Sequence, residues 1–157
     1  MDNAQLIKKF YDAFAARDAE TMVSCYADDI AFEDPAFGKL TGDQPKNMWR
    51  MLIAASPGTI ITSSNIQAND TTGSADWVAV YTFSLTGRKV TNRIHAEFEF
   101  SNGKITKHTD TFSFWKWASQ AFGLKGVLLG WTPLMKNKVR EQALGRLKKF
   151  EGSQGQK

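Results

Sequence analysis

The sequence predicts a single α+β domain, and changes in the spacing of its apolar residues carry that prediction. Up to Gly58 they recur at helical intervals, from Thr59 to Phe114 they alternate as in strands, and after Trp115 helical spacing returns. Turn-rich segments separate the alternating runs. Helices followed by short strands imply a sheet with helices covering one face. A length of 157 residues suits one domain with a substantial core.

In the first helix Leu6, Phe10 and Phe14 fall on one face with Ile7 and Ala13, and Asp2 and Gln5 are spaced as a capping pair. Asp18 is placed to cap a second helix, AETMVSCYA, that turns Met22, Val23 and Tyr26 inward, with Asp28 and Asp29 at its end or in the next turn. IAFEDP then reads as extended, because Pro35 biases Asp34 away from the helical region. Asp43 is placed to cap a third helix with Pro45 in its first turn, carrying Met48, Trp49, Leu52 and Ile53 and ending near Ser56-Pro57-Gly58.

Four strands follow: TIITSSNIQA, ADWVAVYTFS, KVTNRIHAEFEF and KITKHTDTFSF. Asn102-Gly103 is a two-residue hairpin signal, and short connections throughout predict an antiparallel meander. In WKWASQAFGLKGVLLGW, residues Trp115, Trp117 and Phe122 are expected to anchor an added segment over the mouth of the domain or against a partner. A last helix at 133–150 has an apolar stripe of Met135, Val139, Ala143, Leu147 and Phe150. Residues 1–132 and this helix form one domain, and 151–157 are expected to be a disordered tail.

Composition narrows the functional classes. Hydrophobic residues at 42% and charged residues at 23% are ordinary for a globular chain, and a net charge of +4 is a modest excess. Cys25 is the only cysteine, so no internal disulfide forms, and a thiol without an activating neighbour is expected to be inert core. No secretion signal and no apolar run of about 18 residues is visible, so the expectation is cytoplasmic, without membrane insertion. Lys136, Lys138, Arg140, Arg146, Lys148 and Lys149 are read as the solvated face of the last helix rather than a nucleic-acid or membrane element. Zinc-ligand spacing, a glycine-rich phosphate loop and GxSxG are all missing, so neither metal nor cofactor is expected.

Three residues stand out chemically. Asp34 lies between Phe32 and Phe37, where a carboxylate must be paired, solvated or raised in pKa. It is either a poised carboxyl group or the acceptor of an Asx-type turn, and Glu33 points the other way into solvent. Alternation puts Ile94, Ala96, Phe98 and Phe100 on the inner face and Arg93, His95, Glu97 and Glu99 outside. The same rule sets His108 and Asp110 with Phe112 and Phe114, the two polar residues having Cβ atoms roughly 6.5–7 Å apart. They are either a pair communicating through ligand or water or an internal pair that fixes the strand. Phe14, Tyr26, Trp49, Trp77, Phe112 and Phe114 line a pocket for a flat or cyclic apolar molecule, or are plain core.

The segments FYDAFAARDAETMVSCYADDIAFEDPAFGKLTG and LTGRKVTNRIHAEFEFSNGKITKHTDTF resemble ketosteroid isomerases and SnoaL-like members of the nuclear transport factor 2-like superfamily, over about residues 5–115. The resemblance implies a cone: a curved antiparallel sheet wrapped by three N-terminal helices, around a deep apolar pocket, with the C-terminal helical segment extra. It also implies a homodimer through the outer sheet face. Asp34 matches the proton-shuttling base of the isomerases, whereas their oxyanion-hole Tyr and protonated Asp fall on Phe10 and Ala96, which have no donor. Asp110 matches the final-strand acid of SnoaL-like enzymes and limonene-epoxide hydrolases, whose Arg and second Asp fall on Trp77 and Ala79. Losing an oxyanion donor typically costs ~10²–10³ in rate, which argues against steroid isomerase activity.

Two functions follow. One is a cofactor-independent acid–base isomerase, cyclase or hydrolase of a small hydrophobic molecule, with Asp34, Asp110 and His108 as catalytic candidates. Its substrate contacts are Phe10, Phe14, Tyr26, Trp49, Trp77, Ala96, Phe98, Phe112 and Phe114. The other is a non-catalytic ligand-binding or dimerisation module of the same fold.

Overall fold

The computed structural model describes residues 1–154. Helix α1 (Asn3–Ala15) opens on the expected reciprocal cap: the Gln5 amide donates to Asp2 Oδ1 at 2.8 Å, and the Asp2 amide donates to Gln5 Oε1 at 2.9 Å. Its buried face is Leu6, Ile7, Phe10, Tyr11, Ala13 and Phe14. Helix α2 (Ala19–Ser24), capped by Asp18, is shorter than its spacing suggests. The chain is taken into a strand instead: the Ile105 amide donates to the Cys25 carbonyl at 2.9 Å, and β1 (Tyr26–Asp34) begins there. Asp28 and Asp29 are therefore exposed strand residues, not a helix end.

Strand β2 (Gly38–Thr41) returns along β1, with Gly38 at φ +73°, a conformation that suits glycine. Helix α3 (Gln44–Ala55) follows, with Pro45 in its first turn; the Asp43 side chain makes no capping bond. Strands β3 (Ile60–Ala68), β4 (Thr72–Phe83), β5 (Arg88–Ser101) and β6 (Lys104–Thr111) form the predicted meander. Asn102 and Gly103 at φ +53° and +74° make the tight β5–β6 turn.

The sheet has six strands in the order β2-β1-β6-β5-β4-β3. All neighbours are antiparallel except β1 and β6, whose parallel pairing spans Tyr26↔Ile105 to Glu33↔Thr109. Alternation along β5 is as read: Ile94, Ala96, Phe98 and Phe100 are buried, and Arg93, His95, Glu97 and Glu99 are exposed. His95 on the outer face meets Asp76 at 2.8 Å and Glu97 at 3.5 Å, and the Asp76 hydrogen bond raises its pKa. Burying the apolar face of α1 and α3 against the sheet's inner face drives the assembly.

Beyond β6 lie α4 (Phe114–Phe122), α5 (Leu124–Leu129) and α6 (Pro133–Gln154). Phe114, Trp117, Ala118 and Ala121 join Val90, Met135 and Val139 in a second apolar cluster. Leu147 enters the main core, and Asn47 Nδ2 donates to Glu151 Oε2 at 2.8 Å. That bond lies in the expected disordered tail: α6 continues through Gln154, and 155–157 lie outside the described residues. α4 and α5 touch backbone to backbone, since a Cβ at Gly126 would lie 1.9 Å from the Ala118 carbonyl oxygen. Gly126→Ala should accordingly destabilise the protein by about 1–3 kcal/mol through overpacking, read as a lower urea midpoint with an unchanged slope.

Candidate functional site

A cavity of about 730 Å³ opens between the inner sheet face and helices α1, α3, α4 and α6. Alternation and helical spacing bring Phe14, Trp49, Trp77 and Phe112 to its wall together with Asp34 and Asp110. Phe10, Tyr26, Ala96 and Phe98 sit in the packed interior instead, and Phe114 packs into the second apolar cluster. Periodicity identified these five as inward-facing; it could not distinguish a side chain facing a void from one facing another side chain.

His108 is fully buried behind the cavity wall, inside an aromatic box. Ring centroids lie 4.5 Å away for Phe98, 5.1 Å for Phe32, 5.6 Å for Phe10 and 6.1 Å for Trp49. A polar ring there needs a partner at each nitrogen. Trp49 Nε1 donates to Tyr26 Oη at 2.8 Å, leaving the phenolic proton for His108 Nδ1 at 2.7 Å. His108 Nε2–H then donates to Asp110 Oδ1 at 2.9 Å, and Trp77 Nε1–H donates to the same oxygen at 3.3 Å. The neutral Nε2–H tautomer completes every bond of this chain. The residues at i and i+2 thus bond directly, without a ligand or water between them.

Asp110 Oδ2 makes no hydrogen bond among the described residues, and Asp110 lines the cavity. The result is a carboxylate with one oxygen held by two donors and the other available to a bound molecule.

Asp34 ends β1 on the same cavity. Its Oδ1 accepts from the Ala36 amide at 2.9 Å and the Phe37 amide at 2.6 Å, the Asx-type turn considered from sequence. Desolvation outweighs those bonds, and with the nearby charge of Asp110 it pushes the Asp34 pKa up to about 7. The guanidinium of Arg140 opposes this weakly from α6, where it covers Gly38 and donates to the Pro35 carbonyl at 3.4 Å.

The structure adds donors not singled out from the sequence. Trp117 Nε1 donates to Tyr81 Oη at 2.7 Å, so the Tyr81 hydroxyl keeps its own proton to offer the cavity. Asn92, buried and on the cavity wall, shares the inner face of β5 with Ile94 and Ala96, and that polar break in an apolar alternation was a readable signal. Val139, Ala143, Arg146 and Lys149 of α6 also border the cavity, while Arg146 and Lys149 remain solvent-exposed, as expected of the basic helix face. Among the described residues no group of three or more His, Cys, Asp or Glu side chains is arranged to hold a metal.

Comparison with known proteins identifies the fold and the family. No curated protein sequence matches the chain. Of solved structures, a protein from Catenulispora acidiphila with a ketosteroid isomerase-like fold, complexed with trimethylamine, is 16% identical with a TM-score of 0.67, covering 85% of this chain and 100% of its own. A candidate polyketide cyclase from Xanthomonas campestris pv. campestris is 22% identical with a TM-score of 0.62, covering 74% and 94%. A candidate polyketide cyclase from Streptomyces antibioticus, IdmH, is 20% identical with a TM-score of 0.61, covering 74% and 95%. These likenesses establish the nuclear transport factor 2-like fold. The model of the SnoaL-like domain matches residues 7–108, and the chain belongs to that family.

Proposed function

We propose that this protein is an acid–base isomerase or cyclase of a small, cyclic or polycyclic, carbonyl-bearing apolar molecule. The observation that carries the reading is the pair of unlike carboxyl groups on one largely apolar cavity. Asp110 is held as an acceptor by His108 and Trp77, and Asp34 is pushed up to about 7 and so retains a proton near neutrality. The candidate polyketide cyclases among the structural neighbours are compatible with this substrate class.

In this reading Asp110 Oδ2 removes a proton from carbon next to a carbonyl. The C–H electron pair moves onto the carbonyl oxygen, giving an enolate that Tyr81 and Asn92 stabilise by hydrogen bonding. In isomerisation the Asp34 carboxyl group returns a proton to a different carbon. In ring closure the enolate carbon bonds to a second carbonyl, whose oxygen takes the Asp34 proton. The proton held on Asp110 then passes through water to Asp34. His108 positions Asp110 and touches no substrate. Tyr81 and Asn92 stand in for the donors missing at Phe10 and Ala96. A homodimer through the outer sheet face is part of the same proposal, supported by the exposed mixed face of Arg93, His95 and Glu97.

The bicyclic ketone 2-tetralone tests the chemistry without knowledge of the natural substrate. In D₂O the protein should speed exchange of its α-hydrogens, followed by NMR, and Asp110→Asn should lower that rate about 10²–10⁴-fold with the circular dichroism unchanged. Exchange no faster than in buffer, or undiminished in Asp110→Asn, would leave a binding module.

Asp34 also predicts a pH dependence. Unfolded, its carboxyl group titrates near ~3.9; folded, near about 7. Between these values the folded chain holds a proton that the unfolded chain has released, so stability falls as pH rises. The decline is up to about 1.4 kcal/mol per pH unit in that window and levels off above it. Asp34→Asn, which keeps an acceptor for the Ala36 and Phe37 amides, should remove that component. Urea unfolding of both proteins at several pH values from about 4 to about 7 checks it; parallel profiles would contradict the raised pKa.

A further inference from the structure

Helix α5 meets the rest of the protein through its glycines. Gly126 and Gly130 lie against Ala118, so the large side chains of α5 are left outside. Leu124 is 72% exposed, Leu128 59%, Trp131 73% and Leu134 79%, with Val127 and Leu129 near half-exposed. The two indoles bordering this elbow bond their N–H groups to the backbone of α5. Trp115 Nε1 donates to the Val127 carbonyl at 3.0 Å, and Trp131 Nε1 to the Leu128 carbonyl at 2.9 Å. Their hydrogen-bonding capacity is met by the protein, and apolar ring surface faces outward.

The charge along the elbow segment has one sign. From Thr111 to Arg140 the chain contains no Asp or Glu, but it contains Lys116, Lys125, Lys136, Lys138 and Arg140. All four lysines are exposed. A contiguous apolar surface of this kind marks a protein or membrane contact. A second copy packed symmetrically on the patch would set the lysines against themselves. An anionic lipid surface complements both parts: leucine and indole surface enters the headgroup–acyl boundary while lysines meet the headgroups.

We propose that the α5 elbow docks this protein on the surface of an anionic lipid bilayer. Among the described residues no helix is long and apolar enough to cross a membrane, so the contact is interfacial. It also adjoins the cavity, because α4 and α6, which flank the elbow, carry Trp117 and Val139 to the cavity wall.

Vesicle flotation of the full chain tests this. Vesicles of phosphatidylcholine with phosphatidylglycerol should bind the protein at least about tenfold more strongly than phosphatidylcholine alone, and high salt should release it. Leu128→Glu and Trp131→Glu, both at exposed positions, should abolish flotation with circular dichroism unchanged. Lys125→Glu with Lys136→Glu should weaken it about tenfold or more. The proposal is overturned by failure to float with anionic vesicles, by equal binding to neutral ones, or by binding that Leu128→Glu leaves intact. It is also overturned by self-association in sedimentation that Leu128→Glu removes, since that assigns the patch to a second copy.

Discussion

The imidazole of His108 has no contact with solvent, and both of its nitrogens must therefore be bonded from within. Leaving either unpaired would cost about 1–3 kcal/mol. Meeting that requirement joins four elements: β6 supplies His108 and Asp110, β1 supplies Tyr26, α3 supplies Trp49 and β4 supplies Trp77. The chain leaves helix α2 early and β1 lies parallel to β6, a placement that brings the Tyr26 hydroxyl to His108 Nδ1. The polar chain is enclosed by Phe10, Phe32 and Phe98, which exclude competing water.

From this constraint the two carboxyl groups acquire different characters. Asp110 is fixed by side-chain donors from the interior, while Asp34 is bound by the amides of its own turn and shifted by desolvation. In the proposed reaction, acid and base are thus separated by environment rather than by residue type, as carboxyl pairs in enzymes often are. Helix α6 contributes by closing the wall, and Arg140 limits how far the Asp34 pKa rises.

Much of this was legible in the residues. Alternation along β5 and β6 placed Phe98, His108 and Asp110 inside and His95 outside, because a strand has only two faces and the aromatic residues mark one. The α1 cap and the Asn102-Gly103 turn follow from local chemistry alone. What escaped is non-local. Strand β2 is only four residues long, and the parallel β1–β6 pair joins segments some eighty residues apart in the chain, as in the Tyr26–His108 contact. The stripe on α6 announced a buried face without saying what it would cover. A separation of i and i+2 described Cβ atoms, not the side chains of His108 and Asp110, which lean together and bond. Asn92 was visible as a polar break in an apolar face, and its meaning depended on a cavity only the fold creates.

The orientation of His108 is the centre of the account, and ¹⁵N NMR of the imidazole reads it directly. With Tyr26 donating to Nδ1 and Nε2 donating to Asp110, the spectrum at neutral pH should show a neutral ring with its proton on Nε2. Tyr26→Phe should perturb the Nδ1 resonance first. A proton on Nδ1, alone or together with one on Nε2, would contradict the account, because the Tyr26 hydroxyl would then accept from the ring; with Nδ1 alone protonated, Asp110 would also lose its His108 donor.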